Sequence, residues 1–588
     1  MSANFFLGRN DQMSHRFGKY ILIATIFLIF GFSAAQDQTA SSLPVKKCGI
    51  LNVVDFGAKG DGKTDDTSAF QKALNKAGEN EKGGTVFAPQ NTYLIAKHLI
   101  IPKNVTLQGI WNIPTAWTQY QGTTLLATEG EGNPKATPFI TLGTNSVLKG
   151  ITVFYPNQVK TNPPKPYPWC IAGAGGDNSS IIDVLLVNPY LGVDFGTHPC
   201  GRHYIRNLYA QPFLKGLYVD QCYDIGRVEN VHFWPFWTCN NPEMKGIQDF
   251  ISENGEAFIF GRTDWEYVYN TFSWGYKVGY HFIKTKSGVA NGNFLGIGAD
   301  ATNRALLVDD CAPYGLLITN GEFVSMFGPQ PTSVEIRKSN TGVIQLQNCS
   351  FWGPSSQIAA IRGIGTAMFN NCNFVFWDHE QKKLPAIDCF GGSLIVSSSN
   401  FNRPGNHIRL NKGTSSAVIT GNRFTGKAKI TNNSDGDVQI GLNAQGLKRT
   451  EEPGAIVIDD SADPPLFRTE GKWYEGQGGR DYGDICHWAY KGTGDAKAFW
   501  QPELDAPGMY KVFIWYGGDP MENHATNAKI VVKHKNGEET LTVNLRKNTG
   551  SWNLLGKFEF EKGGSGYVMI SNDANDNIMA DAVKFLPE

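Results

Sequence analysis

Short runs of alternating apolar and polar residues, separated by small or polar corners, recur through the middle of the chain. Residues 205–209 (IRNLY) return as residues 228–232 (VENVH), so that Asn207 and Asn230 lie 23 residues apart. A repeat of this length is typical of a solenoid, and a period of two is typical of strands. The pattern predicts an all-β fold, a right-handed parallel β-helix whose coils stack equivalent positions on one another.

One aromatic position continues this register through the later coils. It is occupied by Phe323, Phe351, Phe374, Phe401 and Phe424. Equivalent positions of a solenoid lie above one another, and apolar side chains at such positions belong to the core. We therefore predict a continuous column of rings inside the β-helix rather than a binding surface.

A helix is predicted near the start of the repeat. Residues 64–66 (TDD) suit its N-terminus, and its apolar face is formed by Ala69, Phe70, Ala73, Leu74 and Ala77. The first coil of a β-helix would otherwise expose open strand edges, so an amphipathic helix there is expected to cap the solenoid.

The repeat stops near residue 441, and a different pattern follows. Residues 510–515 and 528–534 read as longer strands, and Lys535-Asn536-Gly537 reads as a turn. The predicted organisation is a signal peptide at 1–35, the β-helix at 48–446, a linker at 447–454 and a C-terminal β-sandwich at 455–588.

The N-terminal residues indicate export. Arg16 and Lys19 precede an apolar stretch at 20–32, which ends in the small residues 33–35. The stretch is short for a membrane span. We expect a secreted or periplasmic protein with no membrane span after signal cleavage.

The composition limits the classes of molecule that the protein is expected to bind. The chain has 53 lysines and arginines against 54 aspartates and glutamates, a net charge of −1, so it offers no basic face for nucleic acid. Ten cysteines in an exported protein invite disulfides. Cys349 and Cys372 each follow an asparagine at equivalent positions and are predicted to stack as buried neighbours. Pairing of Cys200 with Cys222, or of Cys222 with Cys239, stays open.

Two segments resemble known families. Residues 54–67 (VDFGAKGDGKTDDT), residues 84–89 (GTVFAP) and Tyr93 resemble the opening motif of the pectate-lyase-like superfamily, which includes polygalacturonases and rhamnogalacturonases. The resemblance implies the single-stranded right-handed β-helix. It says little about chemistry, because hydrolases, lyases, epimerases and phage tailspikes share the motif.

The second resemblance is to the golvesin C-terminal domain, also described as carbohydrate-binding-like. It is carried by residues 507–510 (PGMY), 525–528 (ATNA), 552–556 (WNLLG), 571–575 (SNDAN) and 580–583 (ADAV). The resemblance implies a β-sandwich and leaves its ligand open.

Paired carboxylates are the first candidate for chemistry. Asp194 and Asp220 are predicted to face outward from one sheet on successive coils, which lie about 4.8 Å apart. Glycoside hydrolysis needs one protonated and one ionised carboxyl group, and two close carboxylates push one pKa upward. The alternative is that both aspartates are solvated or bond to a corner.

A second candidate cluster follows one coil later. Asp264 and Glu266 add two carboxylates, Trp265 could stack on a sugar face, and Arg262 could hold a uronate carboxylate. The alternative is a structural ion pair beneath a loop tryptophan.

Further residues are predicted to bind substrate. His198, Arg202 and His203 lie in the loop after Asp194. His232 and Trp234 belong to an aromatic run that either walls the groove or packs beneath the insertion that follows. The remaining outward positions of the groove are Tyr218, His281, Glu335 and Arg337.

The sequence differs from true polygalacturonases in the motifs that carry their catalytic residues. Their Asn-Thr-Asp, Gly-His-Gly and Arg-Ile-Lys motifs are missing, and the pair Asp309-Asp310 has different surroundings, so catalytic residues are not carried over.

We expect an exported glycoside hydrolase acting on a plant or algal polysaccharide, with uronate-containing polymers included. A polysaccharide lyase using basic groups such as Arg337, Arg362 and Arg409 is the near alternative, and a non-catalytic glycan-binding or adhesin-like protein is the other. We predict no metal site and no cofactor, with Ca²⁺ considered only for a lyase, and the oligomeric state stays open.

Overall fold

The computed structural model describes residues 49–115, 121–239, 241–445, 450–476, 480–483, 485–518 and 523–588. The predicted signal peptide and part of the predicted linker lie outside the described residues. The fold is almost entirely β, with 6% helix and 48% strand, and the predicted parallel β-helix followed by antiparallel sheets is confirmed.

The first strands and helix are β1 (Ile50–Asn52), a 3₁₀ turn (Val53–Phe56), β2 (Asp61–Asp65), α1 (Thr67–Gly78), β3 (Gly84–Phe87), β4 (Thr92–Ile95), β5 (Leu99–Ile101), β6 (Val105–Gln108), β7 (Thr123–Ala127), β8 (Ile140–Leu142) and β9 (Val147–Phe154). The central coils contain β10 (Trp169–Gly173), β11 (Ser180–Leu186), β12 (Leu191–Phe195), β13 (Tyr204–Ala210), β14 (Lys215–Val219), β15 (Arg227–Phe233), a 3₁₀ turn (Pro242–Met244), α2 (Lys245–Asn254), β16 (Glu256–Phe260), β17 (Glu266–Tyr269), β18 (Phe272–Trp274), β19 (Val278–Phe282), β20 (Ala290–Leu295), β21 (Gly298–Thr302), β22 (Arg304–Val308), β23 (Cys311–Thr319) and β24 (Glu322–Ser325).

The last coils contain β25 (Thr332–Ile336), β26 (Val343–Gln347), β27 (Ser350–Trp352), β28 (Gln357–Ile361), β29 (Thr366–Asn370), β30 (Asn373–Phe374), β31 (Ile387–Cys389), β32 (Gly392–Ser397), β33 (Asn400–Phe401), β34 (Ile408–Leu410), β35 (Thr414–Thr420), β36 (Arg423–Phe424), β37 (Ile430–Asn432), β38 (Asp437–Gly441) and β39 (Ala444–Gln445). The C-terminal strands are β40 (Ile456–Asp459), β41 (Phe467–Glu470), β42 (Tyr474–Gly476), β43 (Cys486–Ala489), β44 (Lys497–Trp500), β45 (Gly508–Trp515), β46 (Ala528–His534), β47 (Gly537–Val543), β48 (Asn553–Phe560), β49 (Tyr567–Ser571), β50 (Ile578–Ala580) and β51 (Ala582–Pro587).

Each coil contributes to two sheets. Thirteen parallel strands form what we call the front sheet: β5, β8, β10, β12, β14, β16, β19, β22, β25, β28, β31, β34 and β37. The other strands up to β39 form the back sheet, which is bent at left-handed residues within the coils. In β13 the left-handed residue is Asn207 (φ 54°) and in β15 it is Asn230 (φ 52°), and asparagine tolerates this conformation better than most residues.

The asparagines at these bends form a ladder. Asn207 donates to Asp183 (2.7 Å), Asn230 donates to Asn207 (2.7 Å), and Asn270 donates to Asn230 (3.1 Å). Each amide is therefore satisfied by the coil before it. The predicted stacking of the two 23-residue repeats is confirmed.

The predicted phenylalanine column is also confirmed. Ring centroids of Phe323, Phe351, Phe374, Phe401 and Phe424 follow one another at 5.5, 5.5, 4.4 and 4.7 Å, and all five side chains are buried. The nine described cysteines are free thiols, and Cys349 and Cys372 are both buried.

Helix α1 buries the apolar face that the sequence predicts and packs against β3, β5 and β6. None of the described helices is long and apolar enough to cross a membrane.

The C-terminal strands form antiparallel sheets of four (β40, β51, β45, β48), five (β41, β44, β49, β46, β47) and three strands (β42, β43, β50). The two larger sheets enclose one core, to which β45 and β51 contribute Val512, Ile514 and Phe585 from one side. From the other side β46 and β49 contribute Ile530 and Ile570.

Candidate functional site

The register of the front sheet decides which outward side chains are neighbours. Asp194 on β12 lies opposite Tyr218 on β14, not opposite Asp220, which follows the end of β14. The two aspartates do lie on successive coils, as predicted, but the cross-strand partner of Asp194 is Tyr218.

Both aspartates are held by the loops around them. Asp194 accepts hydrogen bonds from the backbone amides of Gly196 (2.9 Å) and Thr197 (2.8 Å). A Cβ on Gly196 would lie 2.5 Å from the Tyr218 ring, so only glycine lets the loop close over the phenol. Asp194 is 4% exposed as a result.

Asp220 joins three successive coils. Its Oδ1 accepts from the amide of Arg262 (2.6 Å) and the hydroxyl of Thr285 (3.0 Å), and its Oδ2 accepts from the phenol of Tyr218 (3.3 Å). It is also 4% exposed. Both aspartates were expected to be open groove residues, but the structure covers them.

Tyr218 is more exposed than the two aspartates. It is half-buried and its ring stacks on Trp169 of β10, with centroids 6.4 Å apart and planes 19° apart. Burial and the nearby charges of Asp220 and Asp194 raise the pKa of Tyr218, so the phenol keeps its proton at neutral pH. We call Trp169, Asp194, Tyr218 and Asp220 the Tyr218 cluster.

Arg262 and its neighbours flank this cluster. The Arg262 guanidinium lies 5.9 Å from the centre of the Tyr223 ring, and Tyr223 is 53% exposed. Trp265 is half-buried and has a left-handed backbone (φ 61°), and its backbone amide donates to Asn291 Oδ1 (2.7 Å). Asp264 is exposed.

Glu266 and His203 lie in the interior. Both side chains are completely buried, and His203 Nε2 lies 2.8 Å from Glu266 Oε1 while Nδ1 lies 2.9 Å from the Cys200 carbonyl. Burial lowers the pKa of His203, but the Glu266 carboxylate and Cys222 outweigh it and raise the pKa well above its ordinary value. A polymer on the surface cannot reach this pair, which corrects the expectation that both residues face the groove.

The other two candidate residues of the loop after Asp194 differ in their contacts. His198 is exposed after Asp194. Arg202 forms ion pairs with Asp177 and with Asp224 (3.2 Å), and so ties the loops of neighbouring coils together. This contact pattern is that of a structural ion pair.

A second charged row lies further along the front sheet. His281 lies between Glu256 and Asp309, at 3.3 Å from each, and Asp309 also pairs with Arg337 at 2.7 Å. Burial lowers the pKa of His281, but Asp309 and Glu256 raise it above its ordinary value. Glu335 pairs with Arg304 and lies 3.7 Å from Arg362.

His232 and Trp234 belong to a different surface. They lie at and after the end of β15 in the back sheet, where the His232 ring is 5.7 Å from Trp234 and 5.3 Å from Phe272. Trp234 lines a cavity of about 290 Å³ with Met244 and Lys245. The aromatic run thus packs beneath the insertion, the second of the two expected arrangements, and does not join the Tyr218 cluster.

Two groups of described side chains bring metal-ligand atoms within 4.8 Å of one another. The first is His203, Cys222 and Glu266, where the Cys200 carbonyl and the Glu266 carboxylate already occupy both ring nitrogens of His203. The second is Asp459, Asp460 and Asp581 in the C-terminal sheets.

Sequence reasoning missed Trp169 and the aspartate group. Trp169 pairs with Leu191 in the ladder, and the outward alternation of β10 could have found it. The aspartates come from two distant segments, and no sequence spacing connects them.

Two family models match the chain. Residues 50–181 match the model described as rhamnogalacturonase A/epimerase, pectate lyase-like, and residues 456–587 match the Golvesin C-terminal domain. Both predicted resemblances are confirmed.

Curated relatives match over short segments. A xanthan lyase of Bacillus sp. (strain GL1) is 29% identical over 156 residues, which are 25% of this chain and 16% of that protein. Alginate lyase 7 of Azotobacter vinelandii is 48% identical over 65 residues, 10% of this chain and 8% of that protein. The chain therefore spans less than a fifth of the length of each of these relatives.

Solved structures are similar at low identity. The A-module of the Azotobacter vinelandii mannuronan C-5 epimerase AlgE6 has a TM-score of 0.36 at 15% identity, covering 68% of this chain and 100% of that one. The N-terminal fragment of bacteriophage phi29 gene product 12 has a TM-score of 0.44 at 14% identity, covering 73% and 74%. Similarity at this level says nothing about the site.

Proposed function

We propose that this protein is an exported enzyme that cleaves a polysaccharide bound along the front sheet, at the Tyr218 cluster. The observation that carries the proposal is the placement of Tyr218 between Asp194 and Asp220, with its ring stacked on Trp169. A protonated phenol beside two carboxylates supplies proton-transfer groups, and the aromatic faces suit sugar rings.

The length of the front sheet supports a polymeric substrate. Its strands repeat at about 4.8 Å, so charged side chains such as His281, Arg337 and Arg362 form a row along the coils. The names of the matched relatives, xanthan lyase and alginate lyase, point to polysaccharides as the substrate class. The export signal predicted at residues 1–35 fits a secreted or periplasmic enzyme.

Hydrolysis is the first candidate reaction. One of the two aspartates would protonate the leaving oxygen and the other would activate water, as paired carboxylates do in glycosidases. The hydrogen bonds to Asp194 and Asp220 fix both groups in position. Because each is 4% exposed, this reaction requires the substrate to enter between the loops that cover them.

Elimination is the second candidate, and the accessible Tyr218 phenol favours it. A base takes the proton from the carbon next to a uronate carboxylate, the bond to the leaving oxygen breaks, and a double bond forms between the two ring carbons. Tyr218 would give its proton to the leaving oxygen, Asp220 or Asp194 would act as base, and Arg262 would offset the uronate charge.

The test is product analysis after incubation with a panel of pectic and algal polysaccharides. Mass spectrometry shows the mass of one water gained per cut for hydrolysis and none for elimination, and only elimination gives an ultraviolet-absorbing double bond. Tyr218→Phe, Asp194→Asn and Asp220→Asn are compared with wild type, and Tyr223→Phe is the matched control. Full turnover in all three variants would sink the proposed site.

Binding without cleavage of any polysaccharide would replace the enzyme proposal by the glycan-binding alternative. In that case the C-terminal domain proposed at residues 455–588 is the binder to test first, separately from the front sheet.

A further inference from the structure

Four aspartates meet in the C-terminal sheets, away from the front sheet. Asp459 ends β40, Asp460 follows it, Asp481 lies between β42 and β43, and Asp581 separates β50 from β51. Relative exposure is 3% for Asp460, 7% for Asp481 and 0% for Asp581. Ligand oxygens of Asp459, Asp460 and Asp581 lie within 4.8 Å of one another.

Asp460 and Asp581 are the most deeply buried of these carboxylates. Asp460 Oδ2 lies 2.6 Å from His487 Nδ1, but its buried Oδ1 has no hydrogen-bond partner. Asp581 accepts from the backbone amide of Tyr482, at 2.9 and 3.2 Å. Within the part of the chain that the structure describes, neither Asp460 nor Asp581 pairs with a lysine or an arginine.

The group therefore brings several carboxyl groups together in the interior of the domain. Buried carboxylates are normally paired or bound to a metal, and the buried Oδ1 of Asp460, which has no hydrogen-bond partner, is the atom that a cation would satisfy.

The backbone is shaped to admit these side chains. A Cβ on Gly517 would lie 1.8 Å from Asp481 Oδ1, and one on Gly483 would lie 3.0 Å from Asp459 Oδ2. Larger residues at these two positions would push the carboxylates apart. The cluster is thus built into the fold.

We propose that Asp459, Asp460 and Asp581 bind a calcium ion that joins the first and last strands of the C-terminal domain. An all-oxygen carboxylate set suits a hard cation, and Ca²⁺ accepts six to eight oxygens in irregular geometry. Zn²⁺ prefers nitrogen and sulfur ligands, and Mg²⁺ prefers a strict octahedron with several waters. The ion crosslinks β40 to β51, which pair directly.

The full chain is stripped with EGTA and titrated with CaCl₂ while its melting is followed. We expect Ca²⁺ to raise the Tm of the C-terminal transition by roughly 5 °C or more. Trp500 donates to the Asp581 carbonyl (3.1 Å) and lies close enough to sensitise Tb³⁺ luminescence, which Ca²⁺ should then displace.

Asp460→Asn and Asp581→Asn should lose both the Tm shift and the Tb³⁺ signal, and the exposed Asp463→Asn should keep both. Variants that respond like wild type, or a stronger Tm shift with Mg²⁺ or Zn²⁺ than with Ca²⁺, overturn the proposal. If the variants do not fold, calorimetric titration of the EGTA-stripped wild-type protein with Ca²⁺ tests the site directly. The absence of binding at millimolar Ca²⁺ would reject the site.

Discussion

The guanidinium of Arg403, in the β-helix, pairs with the carboxylate of Glu475 on β42 of the C-terminal sheets, and their side chains are 7% and 12% exposed. Arg403 also donates to the Trp377 carbonyl and lies 4.6 Å from the centre of the Phe376 ring. Because a buried charge without a partner is costly, this pair couples the folding of the two parts.

Glu475→Ala should therefore lower the free energy of unfolding by about 3 kcal/mol, since it leaves the Arg403 charge buried and uncompensated. Urea denaturation of the full chain measures the loss. Glu380→Ala, which removes an exposed partner of Lys382, should leave the unfolding midpoint unchanged. Equal effects of the two variants would show that the Arg403–Glu475 pair contributes nothing.

Tyr218→Phe should reduce kcat on the cleaved polysaccharide by about 100-fold with little change in KM, because it removes a proton donor and keeps the ring stacked on Trp169. Initial rates at several substrate concentrations separate the two constants. Tyr223→Phe should retain wild-type rates. A variant at 218 with unchanged kcat would exclude the phenol from the chemistry.

The buried pair His203–Glu266 predicts a loss of stability at alkaline pH. Below the unfolded pKa of about 6.5 both states hold the imidazole proton, so the contribution is fully present. As pH rises towards the raised folded pKa of His203, only the unfolded state has lost the proton, and the contribution falls. Glu266→Gln should make the decline above about pH 6.5 shallower.

Unfolding free energies at several pH values test this slope. The pKa of His281 is also raised, so its contribution to stability falls as pH rises in the same way. His281→Gln is therefore measured in the same experiment. The exposed His198→Gln should leave the slope unchanged. A Glu266→Gln slope as steep as that of wild type contradicts the assignment.

Asn230 allows the backbone bend and the ladder to be separated. Asn230→Gly keeps the left-handed conformation but loses the bonds to Asn207 and from Asn270, which should cost about 2 kcal/mol. Asn230→Ala should cost about 1 kcal/mol more, because alanine does not favour φ 52°. Denaturation midpoints rank the three proteins, and an alanine variant more stable than the glycine variant would reverse the explanation.

The sequence predicted the solenoid because its determinants repeat. Asn207, Asn230 and the phenylalanines recur at coil length, and each needs only the neighbouring coil to explain it. The apolar face of α1 followed from helical periodicity in the same way. Local spacing was sufficient for these features.

The candidate site was predicted less completely. Alternation identified Asp194 and Tyr218 as outward residues. The loops that cover their strands are placed by tertiary packing, which the repeat pattern of the sequence does not reveal. Glu266 begins β17 and points inward, since its partner His203 lies 63 residues earlier. The approach of Asp460 to Asp581 spans an even longer separation and has no signature in the chain.

Because successive coils carry their own bends, for example at Asp183, Asn207 and Asn230, one whole coil can be duplicated or deleted without exchanging inward and outward faces. A single inserted residue within a strand would instead invert that coil. Natural variation in length should therefore accumulate in the loops before the front sheet, where residues 234–255 already form the largest described insertion between β15 and β16.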